Sequence, residues 1–238
     1  MPDKKLLILG SQHGDELSGE RLYRHIRRRH PNIHGCVEFI LGNPKARRLG
    51  TRFIESDMNR SYTGDRDTYE QRRAMKILEI IENRNYDLVL DLHTTTVEQP
   101  PCLILEEINR LNEPFLHASS FEHIVVMGST IGSNALVGAC KQAVAIEIYR
   151  EIGLDLLESI CWDIERYLNN EPSDHTKNVY RDIHPIRKSE VSDDDIRRLR
   201  NFELSEFGHY PIMVGERAYE NHTDYIGFKA YKRNKFKV

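Results

Sequence analysis

The 238-residue chain contains no apolar run near the roughly 20 residues that a membrane-spanning helix needs. It has no internal repeat and no low-complexity tract. Nor does one sign of charge dominate: 34 basic and 37 acidic residues are mixed along the chain and leave a net charge of −3. These absences argue against a membrane protein, a repeat array and a dedicated nucleic-acid binder. Cysteine is scarce. Cys36, Cys102, Cys140 and Cys161 are scattered without paired spacing, and three of them sit in apolar runs. They read as reduced, buried thiols, none with the look of a zinc ligand. The start, Met1-Pro2-Asp3-Lys4-Lys5, enters a strand-like segment without the apolar region and cleavage site of a secretory leader. A cytoplasmic protein is expected, with neither nucleic acid nor membrane as partner. No interface signature stands out, so a homo-oligomer is left open.

What is present is enough for a packed core: 39% of the residues are hydrophobic, and the length suits one α/β domain with a smaller annex. Strands are expected over 5–11, 36–41, 87–92, 102–105, 123–127 and 143–149. Helices are expected over 15–29, 67–84 and 154–168. Between Pro44 and Asp65 runs a long irregular stretch rich in Arg, Gly, Asn and Asp, and a loop of that length is usually functional or disordered. Strands alternating with helices predict a mixed sheet covered on both faces, with ligands gathering where strands end. After Asn169-Asn170-Glu171-Pro172-Ser173 the pattern changes to short strands, suggested at Val179-Tyr180, Ile183 to Ile186, Tyr210 to Val214 and Ile226 to Tyr231. The expected division is therefore 1–172 for the main domain and 173–238 for a small, mainly β domain packed on it. The basic tail, Lys229, Lys232, Arg233, Lys235 and Lys237, reads as protection of a sheet edge. Ser192-Asp193-Asp194-Asp195 reads as a capped helix start.

Two apolar runs end in groups that can hold a metal. The first leads into Gln12-His13-Gly14-Asp15-Glu16, and the second, Asp87 to Leu92, leads into His93. Two imidazoles and a carboxylate are the donor set of a catalytic zinc site that keeps one position open. His13-x-x-Glu16 taken alone is a weak signal. Asp91 shares a strand side with His93 and is placed to support it. In the irregular stretch, Arg52, Asn59 and Arg60 supply two guanidiniums and an amide, which can bind a carboxylate and polarise a carbonyl; ordinary surface ion pairs are the alternative. Glu147 interrupts an apolar strand, where a carboxylate is costly unless paired, metal-linked or facing solvent.

The order of these segments, Gly10-Ser11-Gln12-His13-Gly14-Asp15-Glu16, Gly42-Asn43-Pro44, Arg52 with Asp57-Met58-Asn59-Arg60, Asp91-Leu92-His93 and Ile146-Glu147, resembles the succinylglutamate desuccinylase/aspartoacylase family. The resemblance spans about residues 5 to 150, with a weaker echo at Gly215 to Glu220. It implies a three-layer α/β/α zinc carboxypeptidase-like domain with a mixed central sheet and a small mainly β C-terminal domain. It further implies one zinc ion per chain on His13, Glu16 and His93, with Glu147 as general base and acid. Arg52 would polarise the scissile carbonyl, Asn59 and Arg60 would hold the substrate carboxylate, and Tyr219 would close the pocket. The activity implied is zinc-dependent hydrolysis of the amide bond of a small N-acyl amino acid. A zinc carboxypeptidase acting on peptide C-termini and a non-catalytic metal-binding protein are the alternatives. One departure stands out: aspartoacylases carry an arginine about ten residues before the base, and Asn134-Ala135-Leu136-Val137-Gly138-Ala139 has no cation. N-acetylaspartate is therefore disfavoured as substrate.

Overall fold

Leu6-Leu7-Ile8-Leu9-Gly10 is buried at every position, the state of a parallel strand whose two side-chain rows both meet protein. Leu6 and Ile8 join one core, and Leu7 and Leu9 join a second on the opposite face. The sheet between them is the middle of three layers. Residues 4–220 and 223–236 are described by the computed structural model, so Lys237 of the basic tail lies outside the described residues.

The strands are β1 (Leu6–Gly10), β2 (Val37–Leu41), β3 (Leu88–Thr95), β4 (Cys102–Leu105), β5 (His123–Val126), β6 (Ala143–Tyr149), β7 (Lys177–Arg187), β8 (Tyr210–Ile212) and β9 (Tyr225–Phe236). They form one nine-stranded sheet in the order β2-β1-β3-β6-β4-β5-β7-β9-β8. Pairing is parallel from β2 through β1 and β3 to β6, and antiparallel where β4 meets β6. The sheet is therefore mixed, as expected. Helices α1 (Ser18–Arg29), α2 (Pro31–His34), α3 (Pro44–Leu49), α4 (Tyr69–Arg84), α5 (Glu113–Ala118), α6 (Ser129–Gly132), α7 (Leu136–Ala139), α8 (Leu154–Asn169), α9 (Asp193–Arg198) and α10 (Arg217–Glu220) complete the chain. Leu22 and Ile26 of α1, Phe115 of α5 and Ile160 and Ile164 of α8 fill one core, while Ala74, Ile77 and Ile81 of α4 fill the other. Among the described residues no helix is long and apolar enough to cross a membrane.

Several boundaries differ from expectation. The stretch after Pro44 is not irregular throughout. Asn43 caps α3 by accepting from the Ala46 N–H, Pro44 occupies the first turn, and Gly50 ends the helix in the left-handed region. Met58–Arg60 adds a 3-10 turn whose cap is Asp57. Helix α1 starts at Ser18 rather than residue 15, because Asp15 and Glu16 belong to the turn that serves the site. Two short strands expected around Val179 and Ile186 are one long β7. The suggested division at 172/173 falls between α8 and β7, and the strands beyond it extend the same sheet through β5–β7 pairing. Strand β8 covers β9 only over Phe228–Ala230, so the remaining edge carries Lys232, Arg233 and Lys235. Ser192 caps α9 through a capping box with Asp195.

Candidate metal centre and pocket

Strands β1, β3 and β6 are parallel neighbours, so their C-terminal ends open on one edge of the sheet. That edge receives His13 and Glu16 from the turn after β1, His93 from β3 and Glu147 from β6. In β3 the alternation that sends Leu90 and Leu92 into one core sends Asp91 and His93 to the other face. Glu147 is the register partner of His93 and shares that face. The turn after β1 is held open by its backbone. Ser11 takes a left-handed φ of 54°, and the Gly14 N–H donates to the Arg52 carbonyl at 3.1 Å. A Cβ on Gly14 would lie 2.1 Å from the Ala46 carbonyl carbon, so the turn nests backbone to backbone on α3.

His13, Glu16 and His93 are buried, with one potential donor atom from each lying within 4.8 Å of the others. His13 Nδ1 is 2.7 Å from Glu16 Oε1, and His93 Nδ1 is 3.1 Å from Glu16 Oε2. Each imidazole turns its other nitrogen to a carboxylate: His13 Nε2 to Asp57 at 3.0 Å and His93 Nε2 to Asp91 at 2.8 Å. A carboxylate behind each ring fixes the tautomer and raises ligand basicity. Asp91 also accepts from Gln12 Nε2, and Tyr62 donates to Gln12 Oε1 at 2.7 Å, so the support extends a further step inward. The second oxygen of Asp91, Oδ1, is buried without a hydrogen-bond partner.

The electrostatics follow from this crowding. Burial by itself would push the Glu16 carboxyl up, but His13 and His93 hold it well below the usual carboxylate range. Asp57 is likewise raised by burial and, on balance, held low by His13 and Arg52. Burial disfavours the His93 imidazolium, yet Asp91 and Glu16 on either side push its pKa well above the ordinary value. Glu147 behaves differently: burial pushes it up to about 8, with His93 opposing and Glu16 and Glu216 adding to the rise. Two imidazoles and a carboxylate, surplus negative charge and an orphaned buried oxygen fit a bound zinc ion.

Around this cluster lies a pocket of about 770 Å³, solvent at its mouth included, lined by His13, Glu16, Arg52, Asn59, Arg60 and Glu147 among others. All eight residues expected at a site line it, His93 and Tyr219 included. Arg52 Nη2 donates to Asp57 at 3.1 Å, and Nη1 is 3.4 Å from Glu16. Asn59 Nδ2 sits 3.4 Å from His93 Nε2, while its Oδ1 accepts from the Leu136 N–H. Arg60 also borders a neighbouring pocket with Tyr225. The Tyr219 ring is tilted against Tyr225 and meets Phe228 edge to face. Part of the lining is apolar: Ile104, Met127, Ile131, Ala135, Val137 and Ala145. Its Ala135 and Val137 come from the cation-free stretch.

Sequence reasoning missed three carboxylates that build the site. Asp57 lay in view between two arginines, but its contact with His13 crosses 44 residues. Glu70, fully buried on α4, accepts from the backbone N–H groups of Ile54, Glu55 and Ser56 and shapes the arginine loop. In the sequence it looks like an ordinary acid in a first helical turn. Glu216 accepts from the Thr96 N–H at 2.7 Å and the Ala218 N–H at 3.1 Å, tying α10 to the end of β3. No local signal marks it.

The pattern of the family described as succinylglutamate desuccinylase/aspartoacylase catalytic domain matches residues 2–155. The chain belongs to this family. Aspartoacylase of Mus musculus is 36% identical over 121 residues, covering 44% of this chain and 39% of the relative. A human N-acyl-aromatic-L-amino acid amidohydrolase (carboxylate-forming) is 30% identical over 124 residues, covering 43% of this chain and 37% of the relative. The matched stretches thus span well under half of these two relatives. The crystal structure of murine aminoacylase 3 superimposes with a TM-score of 0.70 at 20% identity, covering 100% of this chain and 97% of that one. Family and fold agree with the three-layer, zinc carboxypeptidase-like architecture.

Proposed function

We propose that the protein is a zinc-dependent deacylase that cleaves the amide bond of a small N-acyl amino acid. The observation that carries this reading is the meeting of Glu147, Arg52 and the His13/Glu16/His93 donors in one pocket. His13, Glu16 and His93 would hold one zinc ion, which when bound supplies Lewis acidity and lowers the pKa of water. Glu147 takes the proton of the attacking water and delivers it to the leaving amine. A carboxyl pushed up to about 8 by burial can both accept and return a proton near neutral pH. Arg52 faces the developing oxyanion. Asn59 and Arg60 hold the α-carboxylate, and Tyr219 closes the pocket from α10. Disulfide-free cysteines support a reducing, cytoplasmic setting.

The apolar part of the lining refines the substrate. Without a cation among Ile104, Met127, Ile131, Ala135, Val137 and Ala145, the acyl group or side chain placed there is apolar. The test is a panel of N-acetyl-phenylalanine, N-acetyl-leucine, N-acetylaspartate, N-succinylglutamate and peptides with free C-termini. The apolar N-acyl amino acids should be cleaved at least ~10-fold more efficiently than the acidic ones, the scale of an unpaired buried charge. Preference for the acidic substrates overturns the substrate class, and cleavage of the peptides alone moves the activity to carboxypeptidase.

A further inference from the structure

A second cluster of metal-binding groups lies away from the pocket, where α1 meets α8. His25 projects from α1, and His30 ends that helix with its N–H donating to the Ile26 carbonyl at 2.9 Å. Glu158 and Cys161 stand one turn apart on α8, on the side facing α1. His25 Nε2 is 2.8 Å from Glu158 Oε1, and His30 Nε2 is 2.9 Å from Glu158 Oε2. Donor atoms of His25, His30 and Cys161 all lie within 4.8 Å of one another. Both imidazoles are largely covered, 11% and 13% exposed, and Cys161 is fully buried.

We infer that His25, His30, Glu158 and Cys161 form a second metal site, a closed zinc clip joining α1 to α8. The donor set is two imidazoles, a thiolate and a carboxylate, which selects zinc over magnesium or calcium. Thiolate and carboxylate together balance the charge of the ion, so its burial leaves no net charge behind. Zinc draws such donors to about 2.0–2.3 Å, which spaces them roughly 3.3–3.8 Å apart in a tetrahedron. His25, His30 and Cys161, within 4.8 Å of one another, would close by up to ~1 Å, and Glu158, now 2.8 and 2.9 Å from the two imidazole nitrogens, would move outward from them to become the fourth donor. The end of α1 also presents the negative pole of its helix to the ion. A carboxylate between two imidazoles accounts for Glu158 and the histidines. It does not account for a thiol brought to their side. With four protein donors the sphere is closed, so the role is structural: the clip ties together groups 133 residues apart in the chain.

The two sites differ in one decisive respect, since the pocket cluster has no sulfur. Full-length protein stripped with a chelator and reloaded with Co²⁺ should bind two ions per chain. It should also show a near-ultraviolet thiolate-to-cobalt charge-transfer band. Cys161→Ser should abolish the band and one ion, while His93→Ala should keep the band. Should Cys161→Ser prove unstable, the more exposed His30→Gln must likewise lose one ion and at least ~10-fold in affinity at this site. In the His93→Ala background, Zn²⁺ should still raise the midpoint of thermal unfolding, and His30→Gln should remove that rise. A wild-type chain without the band, or a band that survives Cys161→Ser, overturns the second site.

Discussion

Glu147 and His93 sit side by side in register, yet their electrostatics run in opposite directions. His93 is flanked by carboxylates and favours a positive charge, whereas burial leaves Glu147 favouring its proton. In the proposed reaction the two would take different roles: His93, giving up its second proton as the metal binds, would hold the ion, and Glu147 would carry protons. Glu147→Gln keeps the shape and removes the proton carrier. Turnover should fall by about 10²–10⁴-fold with metal content unchanged, read by steady-state kinetics beside elemental analysis. Unchanged turnover would remove Glu147 from the reaction. Asp91→Asn tests the support behind His93. Metal affinity should drop roughly 10–100-fold in a competition titration with a chromophoric chelator. An unaltered affinity would reduce Asp91 to a packing role.

At the scale of elements, the site is a loop problem solved by rigid neighbours. The turn carrying His13 and Glu16 has no hydrogen-bonded ladder of its own. It is positioned because Gly14 lies against the Ala46–Arg47 peptide in the middle of α3 and donates its N–H to the Arg52 carbonyl. Gly14→Ala inserts a methyl group where the Ala46 and Arg47 backbones already lie, and neither can retreat without shifting the helix. The expected cost is about 1–3 kcal/mol in denaturant unfolding, together with weaker metal binding. Full stability and full metal affinity in that variant would show that the turn is not held by this contact. The arginine loop follows the same logic. Glu70 gathers three successive backbone N–H groups from one helix position, which orders the segment between α3 and the 3-10 turn at Met58–Arg60.

Across the whole molecule, the sheet continues without a break from the strands that carry His93 and Glu147 to the C-terminal strands. Lys177 opens the first of those strands and is fully buried, donating to Ser173 Oγ at 3.0 Å and the His175 carbonyl at 3.1 Å. Burial lowers its pKa from 10.5 to about 8, with Asp163 opposing and Arg166 assisting. Below pH 8 the ammonium is charged in both states, and its burial costs stability. Between pH 8 and 10.5 the unfolded chain binds more protons than the folded one, so this penalty fades as pH rises. Lys177→Met should therefore gain about 2 kcal/mol relative to the wild type near neutral pH, and the gain should shrink toward pH 10.5. Paired denaturant melts across that range measure it. A difference independent of pH would assign the effect to packing alone.

Much of this architecture was legible in the chain, for local reasons. The apolar runs of β1 and β3, the helical spacing of α4 and the end of β1 at Gly10 all depend on residues a few positions apart. The eight expected site residues that line the pocket were equally readable, because the family's motifs carry them in order. Other features had no local mark. Asp57, Glu70 and Glu216 are common acids in unremarkable surroundings, and Cys161 looks like one more core thiol. Their partners lie far along the chain, as far as 120 residues for Glu216. By itself, then, the sequence determined the elements, the family and the reactive groups at the strand ends. Only the tertiary structure decided which carboxylate stands behind which imidazole, that Glu147 shares its pocket with an apolar lining, and that a thiol lies near two histidines between α1 and α8. Local order follows from short-range sterics and hydrophobic period, whereas the partners of a buried charge are set by which strands lie side by side.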